Sequence, residues 1–378
     1  MNILVTDASY KHSLGIVRSL GLNEHNVFLV ASSKNDLCLS SKYSSGYIVQ
    51  MEYSFDELIR FIKKNKIELI IPVSAKSVTY FVKNKYHLPN DIKTLLPQIK
   101  ALEITNSKKK TYELANSIGI KTPKTYYPKE LKEIELISKE LNFPVVIKWL
   151  YEVGGNIVEY AFNYKELLEK YKLICLKHNF DEKTGLPMIQ EFIDGVGVGF
   201  FALYKDGQLI SYYQHKRLRE KPITGGSSVA AISIFDENLY LKGKQILDEL
   251  NWNGVAMVEF KRDKNGQLTL IEINGKFWGS HDLGLASGVD FPNMIADISQ
   301  SRKIEADRGY VKNVKFSWPL NGDITAALKT PSRLVRVLID LIDWRVKNNI
   351  WILDDPKPSL SLVVMLLSVA KRRFRGFF

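Results

Sequence analysis

Short apolar runs alternate with stretches of helical period along the first hundred residues. Ile3-Leu4-Val5-Thr6, Val27-Phe28-Leu29-Val30 and Leu69-Ile70-Ile71-Pro72-Val73 read as strands, with amphipathic helices over 12–20 and 55–64 between them. Strands separated by helices are the pattern of a parallel sheet covered by helices. A second region, 101–185, carries helical patterns at 111–118, 131–141 and 163–177. Gly119 is placed to end the first of these and Asn163 to cap the last. Its strands are expected at 143–148 and 157–160. From 186 onward the pattern becomes antiparallel: a strand at 188–193, a hairpin turning at Asp206-Gly207 between 199–205 and 208–213, and a helix over 237–250. Beyond 330 the chain becomes helical and basic, with a helix expected over 334–346. The fold class is therefore α/β followed by α+β.

The next hairpin carries the chemistry. Gly254-Val255-Ala256-Met257-Val258-Glu259-Phe260 and Leu268-Thr269-Leu270-Ile271-Glu272-Ile273-Asn274 flank Asn265-Gly266, which predicts a two-residue turn pairing Lys264 with Gln267. Counting outward sets Glu259 opposite Glu272, with Asn274 on the same face. Facing carboxylates repel across a ladder. Either the hairpin faces solvent, or a cation sits between them; two carboxylates and an amide oxygen form a hard set suited to Mg²⁺.

Composition narrows the class. The 378 residues are 45% hydrophobic and 25% charged, enough for two or three units with real cores, and the net charge of +12 favours an anionic partner. Cys38 and Cys175 have neither disulfide-framework nor zinc spacing, and a cytoplasmic location is expected. The N-terminus does not read as a signal peptide. The apolar run from Leu360 to Ala370 is too short to span a bilayer. The turn Thr6-Asp7-Ala8-Ser9-Tyr10 lacks G-x-G-x-x-G, which removes the main support for a dehydrogenase. No nucleic-acid motif accompanies the basic charge, and no nucleic-acid partner is expected.

Three further groups are candidates. Lys148 ends a strand shortly before Gly154-Gly155; it is either a solvated strand-end lysine or a phosphate contact beside a loop that closes over the phosphates. The segment Gln190-Glu191-Phe192-Ile193-Asp194-Gly195 is either a buried strand entering a turn or a linker whose backbone meets an adenine edge. His215, Arg217 and Arg219 would alternate onto one face of an extended chain leading into Thr224-Gly225-Gly226-Ser227-Ser228. That arrangement is an anion site or a solvated charge run.

Taken in order, lysine, lysine with glycine loop, linker strand, cationic strand and Glu with Glu-x-Asn, the chain resembles the ATP-grasp superfamily. It looks most like the predicted ATP-dependent carboxylate–amine ligases similar to the carbamoyl-phosphate-synthase large subunit, over roughly residues 1–300. The resemblance implies a pre-ATP-grasp parallel-sheet domain (1–100) followed by a two-lobed ATP-grasp domain, its N-terminal lobe at 101–185 and its metal-bearing C-terminal lobe at 186–305. It implies Lys108 and Lys148 on nucleotide phosphates with Gly154 and Gly155 in the phosphate loop, and Gln190, Glu191, Phe192 and Ile193 about the adenine. It further implies Glu259, Glu272 and Asn274 on Mg²⁺, with Mn²⁺ as the alternative ion, and Arg217, Arg219 and Lys276 at the transferred phosphate or the substrate carboxylate. Gly275-Lys276 stands where the family has Pro-Arg, so the charge is kept and the bidentate fork is lost. Val196, Gly197 and Val198 occupy the region where the family usually places an acidic ribose ligand.

The expected activity is ATP- and Mg²⁺-dependent ligation: activation of a carboxylate as an acyl phosphate, then attack by an amine or similar nucleophile. The alternative is an ATP-binding sensor or scaffold of the same fold. Homo-oligomeric assembly is compatible with either. A basic C-terminal extension, 331–378, carries nine Lys/Arg against four Asp/Glu. It reads as a helical appendage or as a peripheral contact with an anionic membrane.

Overall fold

The structure is a computed structural model that describes residues 1–151, 157–221, 226–302, 304, 309–328, 330–350 and 352–364. In chain order its first elements are β1 (Asn2–Val5), α1 (Lys11–Leu22), β2 (Asn26–Ala31), β3 (Ser44–Val49), α2 (Phe55–Lys64), β4 (Leu69–Ile71), α3 (Ala75–Asn84), β5 (Lys93–Thr94) and α4 (Ile99–Thr105). Next come α5 (Lys108–Ser117), β6 (Thr125–Tyr126), α6 (Glu133–Ser138), β7 (Val145–Lys148), β8 (Val158–Ala161), α7 (Tyr164–His178) and β9 (Met188–Glu191). Then follow β10 (Val196–Lys205), β11 (Gln208–Lys221), β12 (Ser227–Ile234), α8 (Glu237–Glu249), β13 (Gly254–Arg262) and β14 (Leu268–Asn274). The remaining elements are α9 (His281–Ala286), α10 (Phe291–Ser299), β15 (Lys315–Ser317), α11 (Ile324–Ala327), α12 (Pro331–Ile342) and β16 (Val346–Asn348).

These elements fall into two compact units, each built from separated stretches of chain. Unit one is Met1–Ile99, Gly199–Met257 and Gly275–Phe378; unit two is Lys100–Val198 and Val258–Asn274.

In unit one a five-stranded parallel sheet has the order β3-β2-β1-β4-β5, with Ile3 aligned to Val27 on one side and Leu69 on the other. The chain reverses its direction of travel across the sheet at β1, and the crevice at such a switch point is where α/β sheets take ligands. α3 opens with a capping box: Ser74 Oγ accepts from the Ser77 N–H at 3.1 Å and Ser77 Oγ accepts from the Ser74 N–H at 3.0 Å. The Asp206-Gly207 hairpin has the two-residue form expected, with φ of 50° and 75° at the two turn residues. β10, β11, β12, β15 and β16 follow one another in that order, and Ile3, Val5, Leu14, Phe201, Tyr213 and Trp318 lie in the apolar core.

In unit two β7 is a central strand between β8 and β9, with β6 beyond β9. Val145, Ile147 and Ile189 point into a core shared with Leu167 and Tyr171 of α7. Val146, Lys148, Met188 and Gln190 share the opposite face, because Lys148 pairs with Met188 and Val146 with Gln190. Asn163 caps α7 as expected, its Oδ1 accepting from the Glu166 N–H at 2.9 Å. The helix expected over 131–141 shortens to α6. The helix expected over 334–346 starts earlier as α12, and Val346 begins β16 instead.

The hairpin between β13 and β14 departs from the expected turn. The Asp263 N–H donates to Gln267 O at 3.1 Å and the Gly266 N–H to Asp263 O at 3.1 Å, so three residues, Lys264 to Gly266, form the loop. The cause is the Asp263 carboxylate, whose Oδ1 accepts from the Asn265 N–H at 2.9 Å and the Gln267 N–H at 2.8 Å. It stabilises a type I turn completed by Gly266 at φ 82°. Lys264 therefore does not pair with Gln267, and counting from the observed Asp263–Gln267 pair sets Glu259 opposite Ile271 instead of Glu272. That register alone does not bring the glutamates together.

Candidate functional site

Lys108, Lys148, Gln190, Glu259, Glu272 and Asn274 all lie in unit two. Lys148 stands at the end of β7, and its Nζ donates to Gln190 Oε1 at 2.9 Å from the same sheet face. The Gln190 amide nitrogen donates to the Tyr112 hydroxyl at 2.9 Å, and that hydroxyl donates to Ile271 O at 2.7 Å. Thus α5, β7, β9 and β14 meet through one continuous polar chain. Asn274 Nδ2 donates to Glu272 Oε1 at 2.7 Å, which orients the amide beside the carboxylate. Glu259 and Asn274 are buried, and Glu272 is half-buried.

Electrostatics show what shares this space. Burial pushes the Lys148 ammonium down to about 8. Glu272 and Glu259 oppose that shift, while Lys108 and Lys261 reinforce it. The Tyr112 hydroxyl is pushed up, first by burial and then by Glu272, Tyr127 and Glu259, with the Gln190 bond opposing. Both glutamates therefore act on the same lysine and the same tyrosine. Lys108 sits at the N-terminus of α5 behind Ser107, which caps the helix by accepting from the Lys110 N–H at 3.4 Å.

The donor chemistry fits a hard cation. Two carboxylates and an amide oxygen offer oxygen alone, and Mg²⁺ keeps several positions for water and phosphate. Among the described residues no group of three or more His, Cys, Asp and Glu is arranged to hold a metal. Glu191 ends β9, its N–H donating to Lys124 O at 2.9 Å, and the backbone of Phe192 and Ile193 continues outside the strand ladder. The Phe192 ring packs edge-on to Tyr160 at 6.0 Å. Gly154 and Gly155 lie outside the described residues.

The cationic strand behaves differently. β11 slips against β12 between Arg217 and Arg219 and again at Glu220, so strict alternation is lost and the expected one-face row does not form. His215 is buried edge-on against Phe201 at 4.4 Å. Arg217 donates to Glu220 Oε1 at 3.1 Å and to Gly226 O at 2.8 Å. Arg219 forks onto the Asp323 carboxylate at 2.5–3.0 Å and pairs with Asp340 at 2.6 Å.

Lys276, in unit one, belongs to a second cluster, at the β1–α1 turn. Its charge acts on Tyr10 and His12. Burial pushes Lys11 down to about 8 against the pull of Asp282 and Asp323, and its ammonium lies 4.6 Å from the centre of the Trp318 ring. His12 is held well below the usual imidazole range by burial and by Lys11, His281 and Lys276. His281 is fully buried against Phe277, and among the described residues neither ring nitrogen has a hydrogen-bond partner. At the adjacent switch point the Asp7 carboxylate accepts from the Ser74 N–H at 3.0 Å, Ser74 Oγ at 2.8 Å and Ser77 Oγ at 2.7 Å.

Sequence reasoning missed Tyr112, Lys261, Lys11, His12 and His281. Lys261 had a signal: it is two residues beyond Glu259 on one strand, where alternation returns it to the same face. Tyr112 and His281 had none, since their positions depend on long-range packing.

No family model matches the chain. It is 22% identical over 310 residues to the carbamoyl phosphate synthase large chain of Caldanaerobacter subterraneus subsp. tengcongensis, a match covering 79% of this chain and 28% of that one. It is 25% identical over 285 residues to the phosphoribosylamine–glycine ligase of Fusobacterium nucleatum, covering 70% of this chain and 64% of the relative. The chain thus spans less than two thirds of the length of either relative. The solved biotin carboxylase domain of the Hydrogenobacter thermophilus 2-oxoglutarate carboxylase, in complex with MgADP, ADP and bicarbonate, superposes with a TM-score of 0.66. That superposition has 16% identity and covers 83% of this chain and 73% of that one. Relatives and structural neighbour share one superfamily, with its parallel sheet and mixed sheets. In sequence and in fold, the chain is similar to proteins of the ATP-grasp superfamily.

Proposed function

We propose that the protein is an ATP-dependent carboxylate–amine ligase that uses Mg²⁺, with Mn²⁺ as a substitute ion, and acts in the cytoplasm. One observation carries the reading: Lys148, with its lowered affinity for a proton, shares unit two with two glutamates that act on it together. A buried titratable group shifted by burial and by specific charged neighbours is a candidate for binding or catalysis. In this reading residues 1–100 form the pre-ATP-grasp domain, 101–185 and 186–305 the two lobes, and 331–378 an extension. The solved neighbour bound to MgADP and the ligases among the relatives support it.

Glu259, Glu272 and Asn274 would hold the metal, which supplies charge neutralisation at the nucleotide phosphates. Lys148 and Lys108 would hold phosphate oxygens, with Gly154 and Gly155 over them. Gln190 orients Lys148, while Glu191, Phe192 and Ile193 meet the adenine largely through backbone groups. Lys276, with Lys11 and His12, is assigned to the anionic end of the carboxylate substrate, and Arg217 to the transferred phosphate. Arg219 is assigned a positioning role, given its two aspartate partners.

In the first step a carboxylate oxygen attacks the γ-phosphorus as the bond to the β–γ bridging oxygen breaks, releasing ADP. In the second the amine attacks the acyl carbon, the bond to phosphate oxygen breaks, and the amine proton passes to solvent. The chain's residues position the reactants and hold charge where it develops. The test is a phosphate-release screen with ATP and Mg²⁺ against mixed carboxylates and amines. Release that requires both co-substrates is expected; release indifferent to either would defeat the ligase reading. Homo-oligomeric assembly and a peripheral contact of the basic C-terminus with an anionic membrane complete the proposal.

A further inference from the structure

Helix α12 is turned inside out. Arg333, Val337 and Asp340, spaced four and three residues apart, form its buried face. Arg333 donates to Glu220 O at 2.8 Å and pairs with Asp323 at 3.4 Å, while Asp340 pairs with Arg219 at 2.6 Å and Lys315 at 2.5 Å. The outward stripe is Val335, Leu338, Ile339 and Ile342, exposed by 57%, 53%, 53% and 84%. Residues at i, i+3, i+4 and i+7 make one continuous face, the pattern that normally packs into a core. Here charge docks the helix and the apolar stripe is left to solvent. Trp344 follows at 84% exposure.

Exposed apolar residues at this density mark an interaction surface. What surrounds the stripe identifies the partner. Arg336, Arg345 and Lys347 are exposed beside it, and the sequence continues to Lys371-Arg372-Arg373-Phe374-Arg375-Gly376-Phe377-Phe378, which lies outside the described residues. No described helix is long and apolar enough to cross a membrane. An apolar stripe with an adjacent tryptophan and flanking cations is what an anionic lipid surface takes up: acyl chains receive the stripe, the headgroup region the indole, and phosphates the arginines and lysines. Stable attachment needs two signals of this kind together.

We propose that the outward face of α12, with Trp344, is the membrane-inserting surface of this protein, acting beside the basic C-terminal sequence on anionic lipid. This rests on the peripheral contact proposed above and locates its apolar half. The experiment is co-sedimentation of the full chain with vesicles of phosphatidylcholine alone and of phosphatidylcholine with 30% phosphatidylserine. The wild type is compared with Leu338→Glu/Ile342→Glu and with Lys371→Ala/Arg372→Ala/Arg373→Ala. Thermal unfolding and nucleotide affinity serve as folding controls. Binding of wild type to anionic vesicles alone, weakened at least tenfold in each variant, is the expected result. Equal binding by the face variant would overturn the assignment of α12 while leaving the basic contact standing. No binding by wild type would overturn both. A concentration-dependent dimer that the face variant converts to monomer, without vesicle binding, would give the surface to a second copy of the chain.

Discussion

Two charge clusters, one in each unit, are built from similar residues and do opposite things. In unit one Arg219 and Arg333 meet Asp323 and Asp340, with Lys315 closing the set; each carboxylate has a cation within 3.4 Å. In unit two Glu272, Glu259, Lys108 and Lys261 all act on Lys148, which burial drives toward its neutral form. The first cluster is balanced by its own partners and serves as a clasp. In the second, burial weighs against the Lys148 ammonium, and a bound polyanion would favour it. An arginine in a family motif is thus not necessarily an arginine at the substrate, and the distinction lies in whether its partners are already in the chain.

The comparison breaks most visibly at Glu272. Glu272→Gln should lower ATP turnover by roughly 10²–10³-fold with thermal unfolding unchanged; phosphate release at the wild-type rate would remove the metal assignment. The clasp should respond in the opposite currency. Arg219→Met leaves two buried aspartates short of a partner and should cost about 3–5 kcal/mol in denaturant unfolding. Unchanged stability with a collapsed kcat would return Arg219 to the reacting groups. Lys148→Met should weaken nucleotide binding by about tenfold or more, a charged hydrogen bond being worth ~1.5–3 kcal/mol, and calorimetry would read this directly.

A pH titration sharpens the same point. With Lys148 at about 8 in the unliganded protein, the ammonium is largely lost above that pH. Phosphate would draw the proton back, so nucleotide binding should take up a proton, and affinity should fall by up to about tenfold per pH unit above 8. Calorimetry at pH 8.5 in two buffers of different ionisation enthalpy measures the uptake, and Lys148→Met should abolish it. The smallest effect is expected at the hairpin. Gly266→Ala places a side chain at φ 82° and should cost on the order of 1 kcal/mol with turnover nearly intact.

Local pattern made much of this legible. The β1, β2 and β4 runs, α2, the Asn163 cap and the Asp206-Gly207 turn all follow from composition within a few residues. What local pattern cannot carry is the outcome of competition. Asp263 redirected a turn that Asn265-Gly266 predicts, and Leu218 bulged out of a row that alternation had drawn. The turn expected to set Glu259 opposite Glu272 is not the one that forms, since Asp263 rather than Lys264 pairs with Gln267. Tyr112 and His281 lay beyond reach, because their positions are decided by strands more than a hundred residues away or by the packing of a whole unit.

Unit two is discontinuous: Lys100–Val198 must wait for Val258–Asn274. During synthesis Lys148 and Gln190 leave the ribosome long before the two glutamates that act on Lys148, at roughly 5–20 residues per second. The closing stretch supplies β14, whose Ile271 carbonyl holds the Tyr112 hydroxyl. A nascent chain cut before residue 258 therefore lacks both the carboxylates and that anchor. Nucleotide binding should emerge late and abruptly as the chain grows, making it a reporter of completed topology for anyone following this protein's folding in real time.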